Sequence, residues 1–227
     1  MTIKSILLYF ILFPVICMGL TGELKAQEMN PSYLKAVLDT IYTTEQTPLR
    51  MRDSLMRKYG IESEEAQKMQ ELYKKNHAIN EKKIRHLLDT YGWPDRVLIG
   101  ERGSLTISNV IQHSDNDIRI KYLPMMREAV QENKLHPRFL ARAEDRIATE
   151  RGDLQLYGGQ MKYYPETKSF NVWPIYDPRN IDKRRAAIGL GPIAEHLKNR
   201  FDFEWDLDEQ IKRTKEFEKA RKSRSGQ

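Results

Sequence analysis

The chain has 227 residues, of which 31% are charged and 9% are aromatic, and its formal net charge is +6. This composition is typical of a folded, charge-rich protein and excludes an intrinsically disordered chain. The single cysteine, Cys17, excludes an intrachain disulfide and a metal site built from several thiolates. The length is sufficient for one domain with a real hydrophobic core.

The basic excess is spread among acidic residues and ends in a lysine- and arginine-rich stretch at residues 219–224. A nucleic-acid-binding protein would instead have a clustered basic face with interleaved aromatic residues, so no nucleic-acid partner is expected. A solvated surface, attracted to anionic envelope polymers or lipid headgroups, accounts for the charge.

Residues 1–26 have the features of a secretory signal peptide: Lys4, then a short apolar run, then Ala26 as a small residue before the cleavage point. An uncleaved membrane anchor is the alternative, but the apolar run is short for a span. A lipoprotein anchored through Cys17 is disfavoured because the bulky Ile16 precedes it. We therefore expect an exported protein, periplasmic or extracellular, with no membrane span after cleavage.

The first two predicted helices are long. Apolar residues at helical spacing predict a helix over residues 33–59, interrupted at Pro48 because proline removes a backbone donor. A second helix is predicted over residues 64–91, where Ser63 precedes two glutamates and Gly92 follows the last turn.

Three shorter helices are predicted next. The first covers residues 104–114, the second follows the cap residue Asp115, and the third runs from Pro137 to a stop at Gly152. Each has an apolar stripe on one side, so each is expected to pack against a common core.

A β-hairpin is predicted after these helices. Two strands are predicted, at residues 154–164 and 169–173, joined by a loop of hairpin length. Helices are predicted again at residues 177–189 and 191–201, and a charged, exposed final helix at 206–224. The fold class is therefore mainly α, a single helical domain with one inserted β-hairpin at about residues 154–173. The predicted divisions are a signal peptide (1–26), an N-terminal helical extension (27–75), a helical domain with the hairpin (76–201) and a charged C-terminal helix or tail (202–227).

Several short motifs between residues 92 and 185 identify a resemblance. They are GWPD at residues 92–95, QHSD at 112–115, DR at 145–146, QLYGGQ at 155–160, PIYDP at 174–178 and DKRR at 182–185. In order and spacing they resemble the bacterial family catalogued as domain of unknown function 6624, over about residues 80–197. The resemblance implies a fold and a candidate surface, and it implies no reaction.

His113 is the first candidate catalytic residue, because imidazole titrates near neutrality and a nearby carboxylate can fix its tautomer. Asp115 and Asp145 are the candidate carboxylates. The structural alternative is a half-buried histidine hydrogen bonded to the cap of the next helix, with Asp115 serving as that cap.

The candidate binding residues lie around the predicted hairpin. Asp145 and Arg146 could clamp a substrate anion, or an Asp–Arg pair could brace Arg184 or Arg185. The remaining candidates are polar side chains that could hold a ligand or close a seam between helix and hairpin: Gln155, Tyr157, Gln160 and Arg185.

The sequence has no His-Glu-x-x-His motif, no calcium-binding loop and no nucleotide-binding fingerprint, so no metal and no cofactor is predicted. The leading hypothesis is a binding or interaction module of the cell envelope, with an envelope polymer or a protein as partner. The alternative is a hydrolase-type enzyme that uses His113 as general base on a polar envelope substrate. A helical scaffold braced by the hairpin is the third interpretation.

Overall fold

The computed structural model describes residues 30–165 and 168–225. The predicted signal peptide, residues 1–26, lies outside the described residues. Most of the described chain is helical, and two antiparallel strands lie between the fifth and sixth helices, which confirms the predicted fold class. The elements are α1 (Pro31–Tyr59), α2 (Glu64–Tyr91), α3 (Arg96–His113), α4 (Asn116–Gln131), α5 (Pro137–Glu150), β1 (Met161–Tyr164), β2 (Ser169–Val172), a 3-10 turn (Pro178–Asn180), α6 (Ile181–Ala187), α7 (Ile193–Phe201) and α8 (Leu207–Ser225).

Helix α1 is continuous through Pro48, so the predicted interruption there is wrong. Proline leaves the carbonyl oxygen of Thr44 without its usual helical donor. The side-chain amide of Asn76, from α2, donates to that oxygen at 2.9 Å. The neighbouring helix thus satisfies the group that would otherwise break α1.

Helix α3 begins earlier than predicted and contains an interruption at Gly100, where φ is 69°. Only glycine adopts this left-handed conformation readily. The regular part of α3 follows the interruption and carries Ile107, Val110 and Ile111 into the core, as the spacing predicted.

The main hydrophobic core is built by α1 to α5. Leu38 and Ile41 of α1 are buried in it with Ile84 of α2 and Tyr122 of α4. Helix α2 runs without a break across the division predicted between residues 75 and 76. The apolar stripe of α1 therefore shares one core with the helices assigned to the following domain.

A second hydrophobic cluster lies under the hairpin. Its buried members are Val172, Ile175, Ile181, Ile193 and Leu197, supplied by β2, the segment after it, α6 and α7. These elements are short, so each depends on its neighbours for burial.

The C-terminal helix α8 packs against the segment that follows β2. The Thr214 hydroxyl bonds to both the backbone N–H and the carbonyl of Ile175, at 3.3 and 3.2 Å. Gln210 is buried beside it. The prediction of a helix here is confirmed. The prediction that it is exposed is wrong for this face, because Thr214 and Gln210 are buried against the backbone of residues 173–175 and bond to it.

The hairpin is shorter than predicted. Residues 154–160 form a loop, and Gln155 makes an isolated parallel bridge to Ile175. Gly158 has φ of 78°, which is incompatible with a strand. No helix in the part of the chain that the structure describes combines the length and apolar character needed to cross a membrane.

Candidate functional site

The loop at residues 154–160 is held to α5 by the carboxylate of Asp145. Its Oδ1 accepts the backbone N–H groups of Leu156 and Tyr157, both at 2.8 Å, and its Oδ2 accepts that of Gly159 at 2.7 Å. Asp145 is fully buried. Burial raises the pKa of Asp145 to about 6 although the three N–H donors lower it, so the group is ionised at neutral pH.

The same loop is fixed from its other side by Gln155. The Gln155 amide donates to the carbonyl oxygens of Gln160 and Trp173, and its oxygen accepts the backbone N–H of Gln160 at 2.8 Å. Gln155 is fully buried. Its side chain is therefore engaged with the backbone and closes the base of the loop.

Two arginines of α6 complete this arrangement. Arg184 donates to the carbonyl of Leu156 at 3.2 Å, and Arg185 donates to that of Tyr157 at 2.6 Å and to that of Gly191 at 2.7 Å. Instead of the predicted Asp–Arg brace, Asp145 and the two arginines bind the backbone of the same loop. Asp145 accepts from its N–H groups, and the arginines donate to its carbonyl groups.

A cleft of about 500 Å³ opens between α5 on one side and the loop, α6 and α7 on the other. Polar and charged residues dominate its wall. The lining residues are Leu105, Arg138, Phe139, Ala141, Arg142, Asp145, Tyr157, Gly159, Arg185, Leu190, His196, Asn199 and Arg200.

Four arginines line the cleft, and its one acidic lining residue is Asp145, whose carboxylate is already bonded to the loop. Among the described residues, no hydrogen bond or ion pair engages the guanidinium groups of Arg138, Arg142 or Arg200. Arg138 lies over the ring of Phe139, which belongs to its own helix. The cleft is therefore strongly positive and open to an anion.

Burial and the neighbouring arginine charges shift the pKa values of Arg142 and His196. Burial, followed by the charges of Arg200 and Arg138, lowers the pKa of Arg142 to about 10. Burial, followed by the charges of Arg185 and Arg200, lowers the pKa of His196 to about 4. At neutral pH, Arg142 is thus charged and His196 is neutral.

Tyr157 contributes a hydroxyl to the same wall. Burial, followed by the charge of Glu144 and a side-chain hydrogen bond to it, raises the pKa of Tyr157 to about 12, so the phenol stays protonated and is paired with that carboxylate. Glu144 itself is buried and accepts from Arg127 at 2.6 and 2.8 Å, so its charge is compensated outside the cleft.

Of the predicted site residues, the structure brings Asp145, Tyr157 and Arg185 together in the cleft. The side chain of Arg146 is paired with Glu150 at 2.9 Å instead. The remaining predicted binding residue is Gln160, which is bonded to Gln155 through its backbone and does not line the cleft.

His113 lies in a separate polar cluster at the junction of α1, α2 and α3. Its Nδ1 is 3.0 Å from the Tyr73 hydroxyl, which is its one hydrogen-bond partner in the described chain. Neither Asp115 nor Asp145 bonds to it. Although part of the side chain is exposed, partial burial and the charge of His77 lower the pKa of His113 to about 4. Asp115 is the N-cap residue of α4, with no side-chain capping bond.

The buried carboxylate in that cluster is Glu45, which lies 3.1 Å from His77 Nδ1 and accepts from Asn80 at 2.9 Å. His77 Nε2 is buried without a hydrogen-bond partner in the described chain. Among the described residues, no group of three or more His, Cys, Asp or Glu side chains is placed to hold a metal ion.

Sequence reasoning missed five polar or charged cleft residues, namely Arg138, Arg142, His196, Asn199 and Arg200. Arg138 and Arg142 are four residues apart on α5, as are His196 and Arg200 on α7, so each pair projects from one helical face. A search for basic residues at that spacing beside an apolar stripe would have found both pairs. It would not have shown that the two faces meet.

Comparison with curated proteins and with solved structures gave no significant match. The model of a family of unknown function (DUF6624) matches residues 44–204, a wider range than the motifs alone indicated. That range includes Glu45 and His77 as well as every residue that lines the cleft. The chain belongs to this family.

Proposed function

We propose that the protein is a binding module that holds an anionic small molecule in the cleft between α5 and α7. One observation carries the proposal: the half-buried guanidinium of Arg142 has no acidic partner among the described residues. A charge removed from water is stable only with a compensating charge or hydrogen bonds. A bound anion would supply both.

The dimensions and donors of the cleft agree with this role. Its volume of about 500 Å³ is in the range of sites for small ligands. The guanidinium group offers paired donors that match carboxylate and phosphate oxygens. The Asn199 amide adds a neutral donor on the opposite wall.

The predicted signal peptide at residues 1–26 supports placing this module in the cell envelope, as an exported protein. The hydrolase alternative has less support, because His113 bonds to Tyr73 and to no carboxylate among the described residues. It also does not line the cleft.

The first prediction tests the binding role with Arg142→Gln. Calorimetric titration of the wild-type protein with phosphate, sulfate, acetate and malonate is expected to reveal saturable binding of at least one anion. Loss of a charged hydrogen-bond donor costs about 1.5–3 kcal/mol, so the variant should bind about 10- to 100-fold more weakly.

Arg151→Gln is the matched control, because Arg151 is exposed at the end of the same helix and does not line the cleft. It removes the same charge and should bind like the wild type. If no anion binds saturably, or if both variants weaken binding equally, the cleft is not an anion site.

A further inference from the structure

We infer that the natural ligand presents a compact group with two negative charges, and that the ligand is a small phosphorylated molecule bound through its phosphoryl group. This inference rests on the proposed function and narrows it. It depends on how many positive charges face the cleft and on how they are arranged.

The number of charges disfavours a monoanion. Arg138, Arg142 and Arg200 face the cleft without an acidic partner in the described chain, whereas the charge of Arg185 is offset by Asp182 and Asp145. The single acidic group of the wall, Asp145, is fully bonded to backbone N–H groups. A ligand with one negative charge would leave several guanidinium groups uncompensated in a partly desolvated site.

The arrangement of the arginines favours one compact anionic group over two separated anionic groups. Arg138 and Arg142 are one turn apart on α5, and Arg200 reaches the cleft from α7. Among the surrounding charges, Arg200 has the largest effect on the pKa of Arg142, which indicates that these two groups are close across the cleft. Donors that converge from two walls suit a tetrahedral phosphoryl group, whose oxygens point in several directions.

The remaining wall can accommodate an organic body. Leu105, Phe139 and Leu190 form an apolar side of the cleft. Arg185 donates to the backbone carbonyls of Tyr157 and Gly191, so these donors are already engaged within the protein. A phosphate ester with a small apolar or ring substituent therefore fits the wall better than a bare ion.

The second prediction compares anions of different charge and shape on the full chain at constant ionic strength, near pH 7.5, with chemical-shift mapping to locate each one. The probes are inorganic phosphate, phenyl phosphate, sulfate, acetate and malonate. Phosphate and sulfate should bind at least tenfold more tightly than acetate. Phenyl phosphate should bind more tightly than inorganic phosphate.

Arg142→Gln and Arg200→Gln should each reduce the preference for phosphate over acetate, whereas Arg151→Gln should preserve it. Acetate binding in the cleft as tightly as phosphate would overturn this inference and leave the proposed function standing. Malonate binding most tightly would also overturn it, in favour of two separated carboxylates. If none of the probes binds saturably, the proposed function itself is wrong.

Discussion

Arg119 and Arg142 are both withdrawn from water, but their surroundings differ. Arg119 is almost fully buried and donates to the carbonyl oxygens of Gln112 and Ser114 and to the Glu150 carboxylate. Arg142 has no hydrogen bond from its guanidinium to any described residue. Arg119 therefore stabilises the junction of α3, α4 and α5, whereas Arg142 raises the free energy of the unliganded protein.

The third prediction follows from this difference and concerns Arg142→Met, which keeps most of the apolar stem and removes the charge. Replacing an uncompensated, partly buried charge should raise the free energy of unfolding, by about 1 kcal/mol. Urea denaturation without added anions measures it. The same variant should lose the anion affinity, because the stability gain and the loss of binding have one cause.

Arg119→Met is the control for a structural arginine. It removes hydrogen bonds and leaves Glu150 without its partner, so it should lower the free energy of unfolding by about 3 kcal/mol or more. If Arg142→Met destabilises the protein to a similar degree, Arg142 has a structural partner and the anion proposal loses its main support.

At the scale of elements, the loop at residues 154–160 was the main error of local sequence reasoning. The sequence predicted a strand over this stretch. In the folded chain, the N–H groups that a strand would use for pairing are bound by Asp145, from a helix at least 11 residues away. A local pattern cannot reveal an acceptor supplied by tertiary contact.

Helices were predicted more accurately, because their caps and apolar spacing are local. The bounds of α2 agree with the prediction at both ends, since Ser63 and Gly92 mark them. The predicted break at Pro48 and the predicted strand at residues 154–160 were wrong for the same reason, which is a contact from a residue distant in the sequence. Its effect was cancelled by Asn76, a distant side chain whose role has no local signature.

The fourth prediction concerns how the loop packs against α6 and α7. A Cβ at Gly158 would lie 2.5 Å from Ile193 Cδ1 and 3.2 Å from Ile181 Cδ1. Both isoleucines are buried, so they have little room to move. Gly158→Ala should lower the free energy of unfolding by about 1–2 kcal/mol through its left-handed backbone and by about 1–3 kcal/mol more through overpacking.

Gly152→Ala separates these two effects. Gly152 also has a positive φ, of 73°, but a Cβ there would meet nothing within 4 Å. It should show the backbone effect alone and leave anion binding unchanged. Gly158→Ala should also weaken binding, because Tyr157 and Gly159 line the cleft on either side of it. Equal destabilisation by the two variants, measured by urea denaturation, would contradict the packing argument.

At the scale of the whole molecule, the cleft lies where the two hydrophobic clusters meet. Arg138 and Arg142 project from α5, which belongs to the main core, and Arg200 projects from α7, which belongs to the cluster under the hairpin. The sequence motifs identified the parts that join the clusters, including Asp145 and Arg185. They did not identify the residues that face each other across the join, because that depends on how the clusters pack.

His113 and His196 lie in different parts of the molecule, and acid should affect both in the same way. Partial burial is the main reason that the pKa of each is lowered to about 4. Histidine in an unfolded chain titrates near 6.5. Between about pH 6.5 and pH 4 the unfolded chain therefore binds more protons than the folded one, and stability falls as the pH falls.

Asp145 has the opposite effect on the pH dependence of stability over part of the same pH range. Its pKa is raised to about 6 in the folded protein, against about 3.9 in an unfolded chain, so the folded state binds more protons below pH 6. One carboxyl group opposes His113 and His196 together with His136, whose pKa is also lowered by burial, so the histidines should dominate. The fifth prediction is that the free energy of unfolding decreases from pH 7 to pH 5, as measured by urea denaturation at intervals across that range.

Replacing these two histidines, as His113→Asn with His196→Gln, should remove most of this decrease and leave the small opposing effects of His136 and Asp145. The range above pH 5 is chosen because exposed carboxylates such as Asp89 and Asp202, whose pKa values are lowered by ion pairs, titrate below it. An unchanged slope in the double variant would mean that the two histidine rings are solvated in the folded protein. In that case His196 would be protonated near pH 6 and would add a further positive charge to the cleft.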